Sequence, residues 1–131
     1  MSEERVRGVV VGHGGMAQGL VDAVHRIAGS AAEGLVAVSN DGKAPEALDE
    51  ELDARLGSGP AVVFVDLLSG SCGHAAARTC RSTGGRVVIC GVNLPMLLDF
   101  VFHRDLPLEE LTARLVEKGR EAIRAAPAIG C

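Results

Sequence analysis

The residues best suited to chemistry are a histidine among glycines and an aspartate, each placed directly after an apolar run. Residues 8–15 read GVVVGHGG and contain His13, and residues 61–71 read AVVFVDLLSGS and contain Asp66. A neutral imidazole is a nucleophile, and the usual histidine pKa of about 6.5 leaves the ring mostly neutral in the cytoplasm. A carboxylate that accepts one ring N–H fixes the tautomer and aims the other nitrogen outwards. The pattern therefore predicts His13 as a nucleophile and Asp66 as its orienting partner.

The glycines beside this pair favour a phosphoryl group as the electrophile. Glycine lets backbone N–H groups approach phosphoryl oxygens, and helix N-termini favour their negative charge. Phosphoryl transfer asks a protein mainly for positioning and electrostatic stabilisation. Ser71 lies near the predicted start of a helix, where its hydroxyl either donates to the same oxygens or caps the helix. Both roles for Ser71 stay open at this point.

The elements that must position these residues follow from alternating apolar runs and amphipathic stretches. Strands are predicted over residues 7–11, 35–38, 61–65 and 86–90, and helices over 16–28, 45–56, 72–83, 95–103 and 107–124. This order predicts an α/β fold: a small, doubly wound, mainly parallel four-stranded sheet with helices on both faces. The small apolar tail, residues 125–131, is either an added edge strand or the start of a linker. The length predicts one domain over residues 1–131.

The order of the strands in the sheet decides whether His13 and Asp66 lie close together. Right-handed crossovers place the carboxyl ends of all parallel strands at one edge of the sheet. Ligands of doubly wound sheets bind at that edge, where the strand order reverses. If the first strand neighbours the third, His13 and Asp66 face each other across the crevice.

Composition excludes several classes of function. Aromatic residues make up 2% of the chain and the net charge is −4, which argues against a nucleic-acid binder. No apolar run approaches the roughly 20 residues of a membrane span, and the charged N-terminus lacks a signal-type segment. The four cysteines have no CxxC spacing, which predicts a cytoplasmic protein with reduced thiols. Cys72 is expected to be an ordinary residue at a helix start, the alternative being a thiol with a lowered pKa.

Two rival functions use the same residues. Residues 12–17 also fit the nucleotide-binding pattern G-x-G-x-x-A, with Asp41 near the place of an acidic ribose ligand. However, 131 residues leave no room for a substrate domain. A metal site would gather His13, Asp66, Cys72 and His74, but no paired ligand spacing supports it. We therefore expect neither a metal nor a cofactor.

Three segments of the chain resemble one known family. Residues 10–20, VVGHGGMAQGL, resemble the phosphorylation-site segment of mannose-type IIA components of the bacterial phosphotransferase system. Residues 65–71, VDLLSGS, are similar to that family's aspartate and Gly-Ser segment, and residues 85–97, GRVVICGVNLPML, to its fourth-strand segment. The three segments occur in the family's order and the resemblance covers nearly the whole chain. The family commonly has Pro-Phe after the Gly-Ser pair, where this chain has Cys72-Gly73.

The resemblance implies a phosphohistidine carrier that accepts a phosphoryl group from the phosphocarrier protein HPr and passes it to a IIB component during sugar uptake. It implies that His13 is phosphorylated, that Asp66 orients its ring, and that Ser71 and the backbone of Gly14 and Gly70 contact the phosphoryl group. It also implies a homodimer, often completed by exchange of a C-terminal strand, that meets the membrane only indirectly through a transporter complex.

Two other roles use the same phosphohistidine chemistry. One is a regulatory protein whose binding surface changes with phosphorylation. The other is the related phosphotransfer subunit of dihydroxyacetone kinase, whose motifs fit less well through residues 92–95.

Overall fold

The computed structural model describes residues 5–125, in which strands and helices alternate. Within this range the elements are β1 (Arg7–Gly12), α1 (Met16–Ala28), a 3₁₀ helix (Gly29–Gly34), β2 (Leu35–Ser39), α2 (Pro45–Leu56), β3 (Ala61–Val65), α3 (Ser71–Ser82), β4 (Arg86–Cys90), α4 (Leu94–Val101) and α5 (Leu108–Glu121). The predicted bounds of α1, α2, β3 and β4 agree with the structure, whereas the other elements differ at their ends. The 3₁₀ helix was not predicted.

The four strands form one parallel sheet in the order β2-β1-β3-β4. The first strand therefore neighbours the third, with Val11 of β1 opposite Val65 of β3. This register brings the residues that follow β1 and β3 to the same edge of the sheet. The predicted tail strand covers residues 125–131, of which residues 126–131 lie outside the described residues.

The sheet is covered on both faces, as the sequence predicts. Alternate residues of β1 and β3 point to opposite faces. On one face Val10 and Phe64 pack among residues of α1, α4 and α5, and Phe64 meets Phe100 edge to face with ring centroids 5.2 Å apart. On the other face Val9 and Val63 pack among residues of α2 and α3. Because every residue of β3 is buried, this strand holds the residue that follows it on a rigid support.

Within residues 5–125, none of the helices combines the length and the apolar character needed to cross a membrane.

Candidate functional site

His13 and Asp66 form a hydrogen-bonded pair at the carboxyl edge of the sheet. Each residue directly follows its strand, His13 after β1 and Asp66 after β3. The His13 Nδ1 atom lies 2.8 Å from Asp66 Oδ2. The His13 side chain is 45% exposed while that of Asp66 is 8% exposed. The pair thus combines a fixed carboxylate with a ring open to a partner, as the sequence predicts.

Backbone hydrogen bonds hold the Asp66 carboxylate in place. The backbone N–H of His13 donates to Oδ2 at 2.9 Å, and the backbone N–H of Leu67 donates to Oδ1 at 2.8 Å. Burial raises the pKa of Asp66, but the hydrogen bonds from the His13 ring, His13 N–H and Leu67 N–H together lower it more. The net pKa of Asp66 lies below its ordinary value of 3.8. An ionised carboxylate only accepts hydrogen bonds, so the ring proton sits on Nδ1 and Nε2 carries a lone pair.

Gly70 lies against the open side of the His13 ring. Its backbone has φ 99° and ψ −178°, a conformation that is essentially restricted to glycine. A Cβ at this position would lie 3.6 Å from both Cε1 and Nε2 of His13. Gly70 is also the N-cap residue of α3, so the helix begins beside the ring. The unpaired N–H groups and the dipole of a helix N-terminus favour an anion there.

Gly14 belongs to the turn between β1 and α1, directly after the histidine. Its φ of 57° is the left-handed conformation that glycine adopts without steric cost. The Ser39 hydroxyl at the end of β2 donates to the Gly14 carbonyl at 3.0 Å. The turn that carries His13 is therefore tied to the neighbouring strand.

Ser71 is held by a residue that the sequence analysis did not single out, Asn40. Ser71 is the first residue of α3 and makes no capping hydrogen bond, so the capping alternative is wrong. Its Oγ instead accepts a hydrogen bond from Asn40 Nδ2 at 2.9 Å. The Asn40 backbone N–H donates to the Gly12 carbonyl at 3.3 Å. Asn40 follows β2 at the same sheet edge, and that position was the available signal.

The candidate metal ligands gather only in part. One potential ligand atom from each of His13, Asp66 and Cys72 lies within 4.8 Å of the others. His74 instead lines a cavity of about 160 Å³ together with Asn40 and Ser71. Cys72 is fully buried, and burial together with the Asp66 charge raises the pKa of its thiol. The alternative of a lowered thiol pKa at Cys72 is therefore wrong, and a protonated thiol is a poor metal ligand.

The loop between Asp66 and α3 presents two exposed leucines next to the site. Leu67 is 55% exposed and Leu68 is 76% exposed. Gly73 lies beneath this loop, and any side chain there would collide with the Leu68 carbonyl. The glycine at position 73 thus allows the loop to pack directly on α3.

Residues 8–117 match the family model described as "PTS system fructose IIA component" (EIIA-man). Over 75 residues the chain is 40% identical to the "PTS system mannose-specific EIIAB component" of Escherichia coli strain K12. That alignment covers 55% of this chain and 23% of the relative, so the matched segment spans less than a quarter of the relative's length.

Two solved structures share the fold. The mannose/sorbose specific IIA subunit of the phosphotransferase system from Enterococcus faecalis superposes with a TM-score of 0.83 at 23% identity, covering 93% of this chain and 95% of that chain. The phosphotransferase system component EIIA from Streptococcus agalactiae gives a TM-score of 0.85 at 21% identity, covering 92% and 96%. These likenesses confirm the predicted α/β fold.

Proposed function

Because the chain belongs to the EIIA-man family of phosphotransferase-system IIA components, we propose that it carries a phosphoryl group on His13 during sugar uptake. The donor is the phosphohistidine of HPr and the acceptor is a IIB component. The single observation that carries this proposal is the 2.8 Å hydrogen bond between His13 Nδ1 and the Asp66 carboxylate, which leaves Nε2 free beside the start of α3.

The proposed reaction is an in-line displacement at phosphorus. The Nε2 lone pair of His13 attacks the phosphoryl group, a new N–P bond forms, and the N–P bond of the donor breaks with its electron pair returning to the donor nitrogen. The His13 ring gains positive charge as the bond forms, and the adjacent Asp66 carboxylate stabilises that charge. Transfer to IIB is the same displacement with His13 as the leaving group.

Groups at the ends of β1 and β3 and at the start of α3 are suited to hold the phosphoryl oxygens. We assign the Ser71 hydroxyl and the backbone N–H groups of Gly14 and Gly70 to this role. Because Ser71 Oγ accepts from Asn40 at 2.9 Å, its own hydrogen points to another acceptor and can donate to a phosphoryl oxygen. Asn40 is thus a positioning residue for Ser71.

The exposed leucines supply a surface on which protein partners dock. Leu67 and Leu68 directly follow Asp66, so a partner covering them also covers the phosphorylated ring. Exposed apolar side chains beside a reactive group are typical of protein interaction sites. HPr and IIB would use this surface in turn, and both reactions place the chain in the cytoplasm. Homodimerisation by exchange of the C-terminal strand stays a prediction.

Phosphorylation by a reconstituted donor chain tests the proposal. The protein is incubated with phosphoenolpyruvate, enzyme I and the cognate HPr, and its intact mass is read. We expect the gain of one acid-labile phosphoryl group, which is lost on adding unphosphorylated IIB, and no gain when HPr is left out. No gain with HPr present would make the proposal wrong. Stable phosphorylation without transfer to any cognate IIB would contradict the transport role and favour the regulatory alternative.

A further inference from the structure

We propose that the opposite edge of the sheet holds a second site, which binds a small phosphomonoester. A cavity of about 440 Å³ opens there, with Arg7, Arg55, Arg104 and Glu33 in its walls. Arg7 begins β1, Arg55 lies in the last turn of α2, and Arg104 lies between α4 and α5. His13 follows the other end of β1, so this cavity is separate from the phosphorylation site.

Two of the three guanidinium groups are anchored while most of their donors stay available. Arg7 Nη1 donates to the Arg55 carbonyl at 3.0 Å, and Arg104 Nε donates to the Val6 carbonyl at 2.7 Å. A guanidinium has five N–H donors, so each anchored group retains several for a ligand. The Arg104 guanidinium packs closely against Gly34, where a side chain would collide with it. The cavity therefore has prearranged donors on its floor.

The three arginines of the cavity differ from other arginines of the chain, whose charges are neutralised by aspartates. Arg78, Arg86 and Arg114 each lie within 3 Å of an aspartate oxygen. By contrast, no carboxylate among residues 5–125 lies within 4.0 Å of the guanidinium groups of Arg7, Arg55 or Arg104. Three arginines thus line the cavity, against a single acidic residue, Glu33.

The excess charge matches a phosphomonoester. A phosphomonoester carries about −1.5 to −2 charges near neutral pH, and guanidinium groups bind phosphate through paired, parallel hydrogen bonds. Burial lowers the pKa of Arg104, and the nearby charges of Arg5 and Arg7 lower it further against an opposing effect of Glu33. Arg7 and Arg104 therefore repel each other, and a bound dianion would relieve that repulsion.

The size of the cavity favours an ester over the bare ion. Its volume of about 440 Å³ falls in the range of small-molecule sites, roughly 300–1,000 Å³. An inorganic phosphate would leave most of this space to water. Val36 and Ala54 also line the cavity and offer apolar surface to a short carbon skeleton.

Calorimetric titration with glucose 6-phosphate tests the site, using glucose and inorganic phosphate as comparison probes. The protein carries His13→Ala so that it cannot be phosphorylated, and the Arg55→Ala variant separates binding in the cavity from any binding that remains at the start of α3. We expect saturable binding of glucose 6-phosphate, weaker binding of phosphate and none of glucose. Arg55→Ala should weaken binding about tenfold or more, because charge-assisted hydrogen bonds are lost.

Arg55 is suited to this test because its side chain makes no hydrogen bond or ion pair within residues 5–125, so its removal should leave folding intact. Arg81→Ala is the matched control, since Arg81 is an exposed arginine on α3, away from the cavity. Equal weakening by Arg81→Ala would show non-specific charge attraction and overturn the site. Absence of saturable binding at millimolar ligand, or tighter binding of phosphate than of the ester, would overturn it as well.

Discussion

Two histidine rings of this chain lie beside aspartates, His13 beside Asp66 and His103 beside Asp99. The His13 Nδ1 atom is 2.8 Å from the Asp66 carboxylate. The His103 Nδ1 atom is 3.5 Å from the Asp99 carboxylate and 2.8 Å from the Asp99 backbone carbonyl. Arg114 forms an ion pair with the Asp99 carboxylate, and its Nε and Nη2 atoms donate to the two carboxylate oxygens at 2.8 and 3.0 Å. Both rings hold a proton on Nδ1. The Asp99 carboxylate is neutralised by Arg114, whereas among residues 5–125 no lysine or arginine pairs with the Asp66 carboxylate.

The two rings lie at opposite ends of their neighbouring helices. His13 precedes α1 and lies beside Gly70, where α3 begins. His103 follows the C-terminal end of α4. Helix N-termini favour anions and C-termini favour cations, so the surroundings of His13 favour a bound anion and those of His103 disfavour one. The charge of the carboxylate partner and the polarity of the nearby helix ends, rather than the presence of a His–Asp pair, therefore distinguish the surroundings of the two rings.

The largest expected effect comes from removing each ring in turn. His13→Ala should abolish phosphorylation by phosphorylated HPr, because the attacking nitrogen is gone. His103→Ala should accept a full phosphoryl group at close to the wild-type rate. Intact mass spectrometry of both variants after equal incubation measures the difference. Phosphorylation of His13→Ala, or a folded His103→Ala that accepts no phosphoryl group, would contradict the assignment of His13 as the phosphorylated residue.

Replacing the two aspartates should give the next largest difference in phosphorylation rate. Asp66→Asn should keep the fold but slow phosphorylation by about 10²-fold or more, because an amide supplies no negative charge to the charging ring and permits the wrong tautomer. Asp99→Asn serves as the control and should transfer at the wild-type rate, since that carboxylate neutralises Arg114. Rapid-quench measurement of single phosphoryl transfers gives both rates. Equal rates for Asp66→Asn and the wild type would remove Asp66 from the mechanism.

The His13–Asp66 pair was predictable because it depends on strand order, and short right-handed connections strongly limit that order. The Val-rich runs and the glycines that end the helices likewise located β3, β4 and α1. The bond between Asn40 and Ser71 was not predictable, since it joins a turn residue to the first residue of a helix 31 residues further along the chain, and no periodic pattern links the two positions. The burial of Cys72 could not be predicted either, because it depends on how α3 packs against the sheet.

Gly70 lies beside the His13 ring, and its replacement should have a moderate effect on stability and on phosphorylation. Gly70→Ala forces alanine into a backbone conformation with φ 99°, which should cost about 1–3 kcal/mol of unfolding free energy. The added methyl group, 3.6 Å from His13 Nε2, should also slow phosphorylation. Gly84→Ala is the control, because a methyl group added at that position would meet open space. Urea unfolding should show a change below about 0.5 kcal/mol for that control.

The smallest expected change is in the stability of the fold at acid pH, and it measures the contribution of the Asp66 charge. The folded-state pKa of Asp66 lies below the ordinary 3.8, so this carboxyl binds its proton more weakly in the folded chain than in the unfolded chain. Its contribution to stability is therefore complete above that ordinary pKa and disappears as the pH falls through the folded-state pKa. The gap in urea midpoint between wild type and Asp66→Asn should narrow as the pH falls below the ordinary pKa of 3.8. Asp53, whose pKa is lowered by hydrogen bonds from Thr79 and Arg86 despite some burial, contributes in the same pH range. The measurement is therefore repeated in an Asp53→Asn background, where a gap that stays constant into strong acid would show that the Asp66 charge does not stabilise the fold.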